Sequence, residues 1–271
     1  VRSTRTPRRG AGAAPLTSIL TIAGSDSSGG AGIQADLRTI ARHGYHGASV
    51  VTAVTAQTPG RVLAVEPVSI AILEAQLQAV LTGLGVGAVK VGLLPTAVHV
   101  RRVADALRGL GVPVVVDPVA VASDGSALAA AGVTQALLES LLPVACLVTP
   151  NALEAGVLLG RTAPTAVAEQ AEAARDLSAR LGAAVLVKGG HIEGDRVVDV
   201  LADADGVTQF THAGVNAPFP VRGTGCILSS AIACRLAGGL PLRQAIRNAR
   251  AHLRRRLLAA QRSGNEPVAI A

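Results

Sequence analysis

Short apolar runs rich in β-branched residues recur along the chain, at 16–23, 48–54, 88–93, 113–116, 145–148 and 184–187. Runs that are apolar at nearly every position are expected of strands covered on both faces. Between them lie stretches with helical spacing of apolar residues, at 32–42, 68–84, 96–110, 132–142, 152–159 and 164–181. Two more strands are expected at 196–201 and 206–212, joined by the turn-forming Asp203-Ala-Asp-Gly206. Two helices close the pattern, at about 225–237 and 241–260. Alternation this regular predicts an α/β fold with a doubly wound, mainly parallel sheet. There is no internal repeat, linker or composition break, so 16–262 reads as one domain. Residues 1–15 read as a disordered basic extension and 263–271 as a tail.

In such a sheet, ligands sit beyond the carboxyl ends of the strands. The first strand is followed by Gly24-Ser-Asp-Ser-Ser-Gly-Gly-Ala-Gly32, the second by Thr55-Ala-Gln57 and the third by Gly92. Asp117-Pro-Val119 follows the fourth, Thr149-Pro-Asn-Ala-Leu-Glu154 the fifth and Lys188-Gly-Gly-His191 the sixth. Small, polar and ionisable residues therefore gather at one rim, which points to an active site.

Composition narrows what that site serves. The net charge of +7 would suit a polyanion partner. However, 11 of the 25 basic residues lie in 1–16 and 241–265, leaving 14 against 17 acids in the body, about −3. That body lacks the charge for a duplex-binding face, and three aromatic residues make no stacking platform, so no nucleic-acid partner is expected. No apolar stretch reaches 18 residues, so no membrane span is expected. Arg8-Arg9 before the first apolar run imitates a signal peptide, but cleavage there would discard the Gly/Ser loop. Cys146, Cys226 and Cys234 form neither a disulfide framework nor a zinc site, which favours a reducing, cytoplasmic home. The chain holds no Met, even at position 1, and is read as starting from a non-standard codon or as processed.

The glycine loops differ in meaning. Gly30-Ala-Gly-Ile-Gln-Ala35 matches a loose dinucleotide fingerprint, but residues 48–58 lack the acid that would hold the ribose. The chain has only two lysines, Lys90 and Lys188, and neither lies in a P-loop, so any ATP is held without a Walker A lysine. Gly223-Thr-Gly-Cys226 leads straight into a small-residue helix, whose first N–H groups and dipole suit an anion. Cys226, in the first turn, is expected to have a lowered pKa, and Cys234 to be buried packing. Asp26 reads as a turn cap. Asn151 and Glu154 have the spacing of a helix-capping box as well as of a binding element.

The series AGSDSSGGAGIQADL (23–37), TAVTAQ (52–57), VKVGLL (89–94), VVVDPV (114–119), VTPNALEA (148–155), VLVKGGH (185–191) and GTGC (223–226) resembles hydroxymethylpyrimidine/phosphomethylpyrimidine kinases. These are the thiamine-biosynthesis branch of the ribokinase-like superfamily, and the resemblance spans about 17–260 in the right order. It implies a three-layer α/β/α fold and two successive phosphoryl transfers from ATP. The first goes to 4-amino-5-hydroxymethyl-2-methylpyrimidine, the second to its monophosphate. It also implies Mg²⁺ and a homodimer. By position, Cys226 would be the general base, with Gly223, Thr224 and Gly225 around the transferring phosphoryl. Asp36 and Gln57 would bind the pyrimidine, with Gly24, Leu93 and Val119 along its apolar faces. Asn151 and Glu154 would organise Mg²⁺ at the nucleotide, mostly through water, joined by Asp117. Lys188 would lie beside the nucleotide phosphates.

The chain departs from the family pattern at Arg222 (usually His), Pro59 after Gln57-Thr58, Leu93 (usually Met), Ile227 (usually Thr) and 263–267. These departures put the second phosphorylation in more doubt than the first. They also keep open a pyridoxal-type kinase on the same fold and a non-catalytic pyrimidine-binding relative.

Overall fold

The computed structural model describes residues 17–58, 61–119, 129–190, 196–215 and 221–263. The predicted extension at 1–15, most of the predicted tail, His191 and Pro59 fall outside them.

Among the described residues nine strands form one sheet: β1 (Ser18–Asp26), β2 (His46–Gln57), β3 (Val62–Pro67), β4 (Val86–Val91), β5 (Val114–Val116), β6 (Leu147–Val148), β7 (Ala184–Val187), β8 (Arg196–Asp203) and β9 (Gly206–Ala213). Their order is β3-β2-β1-β4-β5-β6-β7-β8-β9. The run from β2 to β7 is parallel, while β3, β8 and β9 each pair antiparallel with the strand before them. The helices are α1 (Gly32–Arg42), α2 (Ile70–Gly83), α3 (Ala97–Leu107), α4 (Val133–Ala136), α5 (Ala152–Leu159), α6 (Val167–Leu181), α7 (Thr224–Ala237) and α8 (Leu242–Ser263). The expected doubly wound sheet is thus present.

Alternation along the strands explains the layers. Leu20, Ile22, Val114, Val116, Val185 and Val187 pack with α2 to α6 on one face. Their neighbours Ile19, Val115 and Leu186 pack with α1, α7 and α8 on the other. Both faces are dry, which is why these strands read as continuous apolar runs. Local signals set several helix starts: the Ser69 and Thr96 side chains accept from Ile72 N and His99 N.

Two elements differ from the sequence expectation. Residues 62–67, for which the sequence predicts no element, form the edge strand β3, with no residue buried and without the alternation that marks a buried strand. The single helix expected at 132–142 is α4, continued by a π-helical turn (Leu137–Leu141) and a 3₁₀ turn (Leu142–Val144) holding Pro143.

β1 lies between β2 and β4, so the chain leaves β1 to one side and returns to the other. Such a switch point opens a crevice at the strand ends, where the loops diverge.

Candidate active site

A cavity of about 960 Å³ occupies that crevice. Its floor comes from the ends of β1, β4 and β5, and the start of α7 closes one side. Gly24, Gln57, Leu93, Val119, Asp117, Asn151, Glu154, Lys188 and the stretch Gly223 to Cys226 all line it. Residues as far apart in sequence as Gly24 and Cys226 thus meet because they terminate neighbouring strands or open the helices that follow.

The α7 start is an anion cradle. Gly223 adopts the left-handed conformation (φ 73°), and a Cβ there would lie 2.2 Å from the Gly30 carbonyl oxygen. Only glycine permits that turn and that approach. The Ile227 N–H closes the first helical turn on the Gly223 carbonyl at 2.9 Å. The N–H groups of Thr224, Gly225 and Cys226 therefore have no partner within the helix, and they face the cavity end with the helix dipole behind them.

Facing the cradle is a charged cluster. Lys188 Nζ donates to Asp117 Oδ1 at 2.6 Å and lies 3.9 Å from Glu154 Oε2. A Cβ on Gly225 would stand 3.1 Å from Asp117 Oδ2 and 3.2 Å from Lys188 Nζ, so this glycine keeps the cradle against the pair. Strand pairing sets the geometry: Asn151 bridges Lys188 in parallel register, and the Lys188 N–H donates to the Pro150 carbonyl. Asn151 Oδ1 accepts from Glu154 N, and Glu154 Oε2 accepts from Asn151 N, so the capping box is real. It aims the Glu154 carboxylate at Lys188. Burial pushes the Glu154 carboxyl up to about 7, with Lys188 pulling it down and Asp117 pushing it further up. Burial works to lower the Lys188 pKa, but Asp117 and Glu154 outweigh it and hold the ammonium above its ordinary value. Lys188 is 14% exposed and ion-paired, not a solvated strand end.

Beside this lies a second pair. Lys90, next to last in β4, donates to Asp36 Oδ2 at 2.8 Å with neither side chain exposed. Thr21 Oγ1 and Ser230 Oγ donate to the same carboxylate at 2.6 and 2.8 Å. Two expectations are corrected here. Asp36 does not line the cavity: α1 turns it into the interior, where its oxygens are taken by Lys90, Thr21 and Ser230. Cys226 does not have a lowered pKa: burial pushes its thiol up to about 11, Lys90 pulls it down, and Asp36 and Asp117 push it up again. Desolvation outweighs the helix N-terminus at this position.

Asp26 does organise a turn, accepting from Ser28 N, Ser28 Oγ and Ala31 N, each at 2.8 Å. Cys234 is buried packing in α7.

The sequence profile of the family described as phosphomethylpyrimidine kinase matches residues 26–269. A hydroxymethylpyrimidine/phosphomethylpyrimidine kinase of Rhizobium meliloti is 46% identical over 261 residues, covering 93% of this chain and 97% of the relative. The chain belongs to the phosphomethylpyrimidine kinase family. Among solved structures, the family's enzyme from Clostridium difficile is 34% identical with a TM-score of 0.77, over 88% of this chain and 98% of that one. A pyridoxal kinase of Bacillus subtilis, solved as an ADP complex, is 35% identical with a TM-score of 0.79, over 87% and 89%. The expected ribokinase-like architecture is therefore the fold of this chain.

Sequence reasoning missed two groups at the family site. One is Lys90 with Thr21 and Ser230; a lysine flanked by valines in a buried strand was the available sign, since such a charge must have a partner. The other is on the far wall, where Arg250 donates to Asp199 Oδ2 at 2.6 Å and meets His212 Nδ1 at 2.7 Å. Asp199 Oδ1 accepts from Gly189 N at 2.8 Å, so α8 braces the loop that follows Lys188. No local motif marks this network, because its members come from β8, β9 and α8.

Proposed function

We propose that this chain is an ATP-dependent phosphotransferase of thiamine biosynthesis that phosphorylates 4-amino-5-hydroxymethyl-2-methylpyrimidine and then its monophosphate. Family membership and the 46% identity to a kinase of that name support the substrate. The observation that carries the chemistry is the α7 cradle facing Lys188 across one cavity. Phosphoryl transfer asks mainly for positioning and charge stabilisation. Free N–H groups of Thr224 to Cys226 suit the oxygens of a phosphoryl in flight, and the Lys188 ammonium suits the polyphosphate. The substrate oxygen forms a bond to the γ-phosphorus, the bond to the bridging oxygen of ADP breaks, and the substrate hydroxyl proton goes to Cys226 Sγ. With the thiol near 11, the reaction draws on a minor thiolate fraction, so its rate should rise with pH.

The residues fit a Mg²⁺ ion. Asp117 and Glu154 are buried hard-oxygen donors, and one lysine does not balance two carboxylates. Such a pair suits a cation held chiefly by phosphates and water. When bound, Mg²⁺ would neutralise charge on the transferring phosphoryl. A cytoplasmic homodimer completes the reading. Among the described residues no helix is long and apolar enough to cross a membrane. The exposed Val54 and Leu63 on the β2–β3 edge offer a dimer face, which sedimentation would test.

The decisive assay follows ATP consumption with hydroxymethylpyrimidine, then with its monophosphate, in wild type and Cys226→Ala. Turnover of both substrates is expected; binding without turnover by wild type would overturn the enzyme reading. Pyridoxal in parallel tests the second reading, which the likeness to the Bacillus subtilis pyridoxal kinase favours.

A further inference from the structure

Arg222 lines the cavity beside the end of β2, immediately before the cradle. Its Nη1 donates to the Thr58 carbonyl at 2.8 Å, tying the α7 loop to the end of β2. The neighbouring Gln57 amide has one orientation that satisfies its surroundings. Arg222 carries donors only, so the atom facing it, 2.6 Å from Nη2 and 3.2 Å from Nη1, is the amide oxygen. On the other side, the single Thr55 hydroxyl proton goes to the Ser25 carbonyl at 3.0 Å. Thr55 Oγ1 can therefore only accept from Gln57, and the atom 3.2 Å from it is the amide nitrogen. Both neighbours demand the same assignment.

The geometry points to Arg222 as a positioning residue that sets the polarity of Gln57, so that the site reads a hydrogen-bond acceptor on the substrate ring. With the oxygen committed to the guanidinium and one N–H to Thr55, Gln57 has one N–H left for the cavity. That donor matches an aromatic heterocycle presenting a ring nitrogen; it does not match an amino group, which must find a carbonyl elsewhere. A histidine at position 222 would lack the two-pronged donor that fixes the amide this way. The inference rests on the reading of Gln57 as a ring-binding residue.

Substrate analogues test it. Replacing the acceptor ring nitrogen by C–H should raise wild-type KM on the order of tenfold or more, whereas deleting the amino group should leave the Gln57 contact intact. Arg222→Ala frees the amide to turn: KM for hydroxymethylpyrimidine should rise about tenfold with kcat little changed, and the penalty for losing the ring nitrogen should shrink. Gln57→Glu guards against misfolding, because it strengthens the tie to Arg222 while removing the donor. It should keep its melting temperature and lose pyrimidine affinity. Unchanged KM and unchanged analogue discrimination in Arg222→Ala, or full affinity in Gln57→Glu, would overturn the proposal. The orientation is also readable without substrate, by neutron diffraction at Gln57: deuterium on the atom facing Thr55 is expected, and deuterium on the atom facing Arg222 refutes it. If wild type turns over no pyrimidine, the functional reading fails, and the neutron result still decides the amide.

Discussion

Lys90 and Lys188 each donate to an aspartate, at 2.8 and 2.6 Å, from positions at or near the ends of parallel strands. Around Lys90 the account closes: one ammonium meets one carboxylate, and Thr21 and Ser230 take up the remaining oxygen capacity of Asp36. Around Lys188 it stays open, because Asp117 and Glu154 are two carboxylates on one ammonium beside a cavity. The same chemical pair therefore fixes the interior in one place and leaves negative charge for a cation in the other. Cys226 lies between them, influenced by both clusters.

The comparison breaks first at Lys90. Lys90→Met should strand the Asp36 charge at a cost of about 3–5 kcal/mol, on the order of 10 °C in melting temperature. Combining it with Asp36→Asn, whose oxygen accepts from one of the Thr21 and Ser230 hydroxyls while its amide donates to the other, should recover much of that loss. Failure of the double variant to recover would mean the pair does more than balance charge. Lys188→Ala should do the opposite, reducing kcat/KM by about 10³ with a much smaller thermal shift, since Glu154 can take up a proton. Comparable melting losses for the two lysines would erase the distinction.

Cys226→Ala should lower kcat by about 10²–10³ while leaving ADP affinity unchanged in calorimetry. In wild type kcat should climb between about pH 7 and 9, because the thiol titrates near 11, and the residual alanine rate should lack that slope. The smallest effect is expected at Glu154. Its folded-state pKa lies near 7 against 4.5, so the folded form holds the extra proton and stability falls as pH rises through that window. Glu154→Gln keeps the capping geometry, so its melting temperature should gain on wild type by a few degrees from about pH 5 to 7.5. Parallel melting curves would show that Glu154 is already ionised at pH 5.

Much of this site was legible along the chain. Gly223-Thr-Gly-Cys226, Asn151 with Glu154, and Lys188 each sit where a strand ends or a helix begins, and the structure gathers them at one cavity. Asp36 misled because its type suits a heterocycle, while its direction is set by the packing of α1 against β1 and α7. The Cys226 pKa misled because a helix N-terminus is visible in sequence and desolvation is not. β3 escaped because an exposed edge strand carries little hydrophobic period.

The order of apolar runs, their alternation with helical spacing and the small polar residues at their ends determined the doubly wound sheet and the side on which its chemistry lies. These follow from local periodicity and from burial of both sheet faces, which every run records on its own. Which of two lysines is fully buried and which keeps partial exposure, and which way the Gln57 amide points, were decided only by tertiary structure. Charge balance and hydrogen-bond polarity depend on partners brought from 54, 71 and 165 positions away.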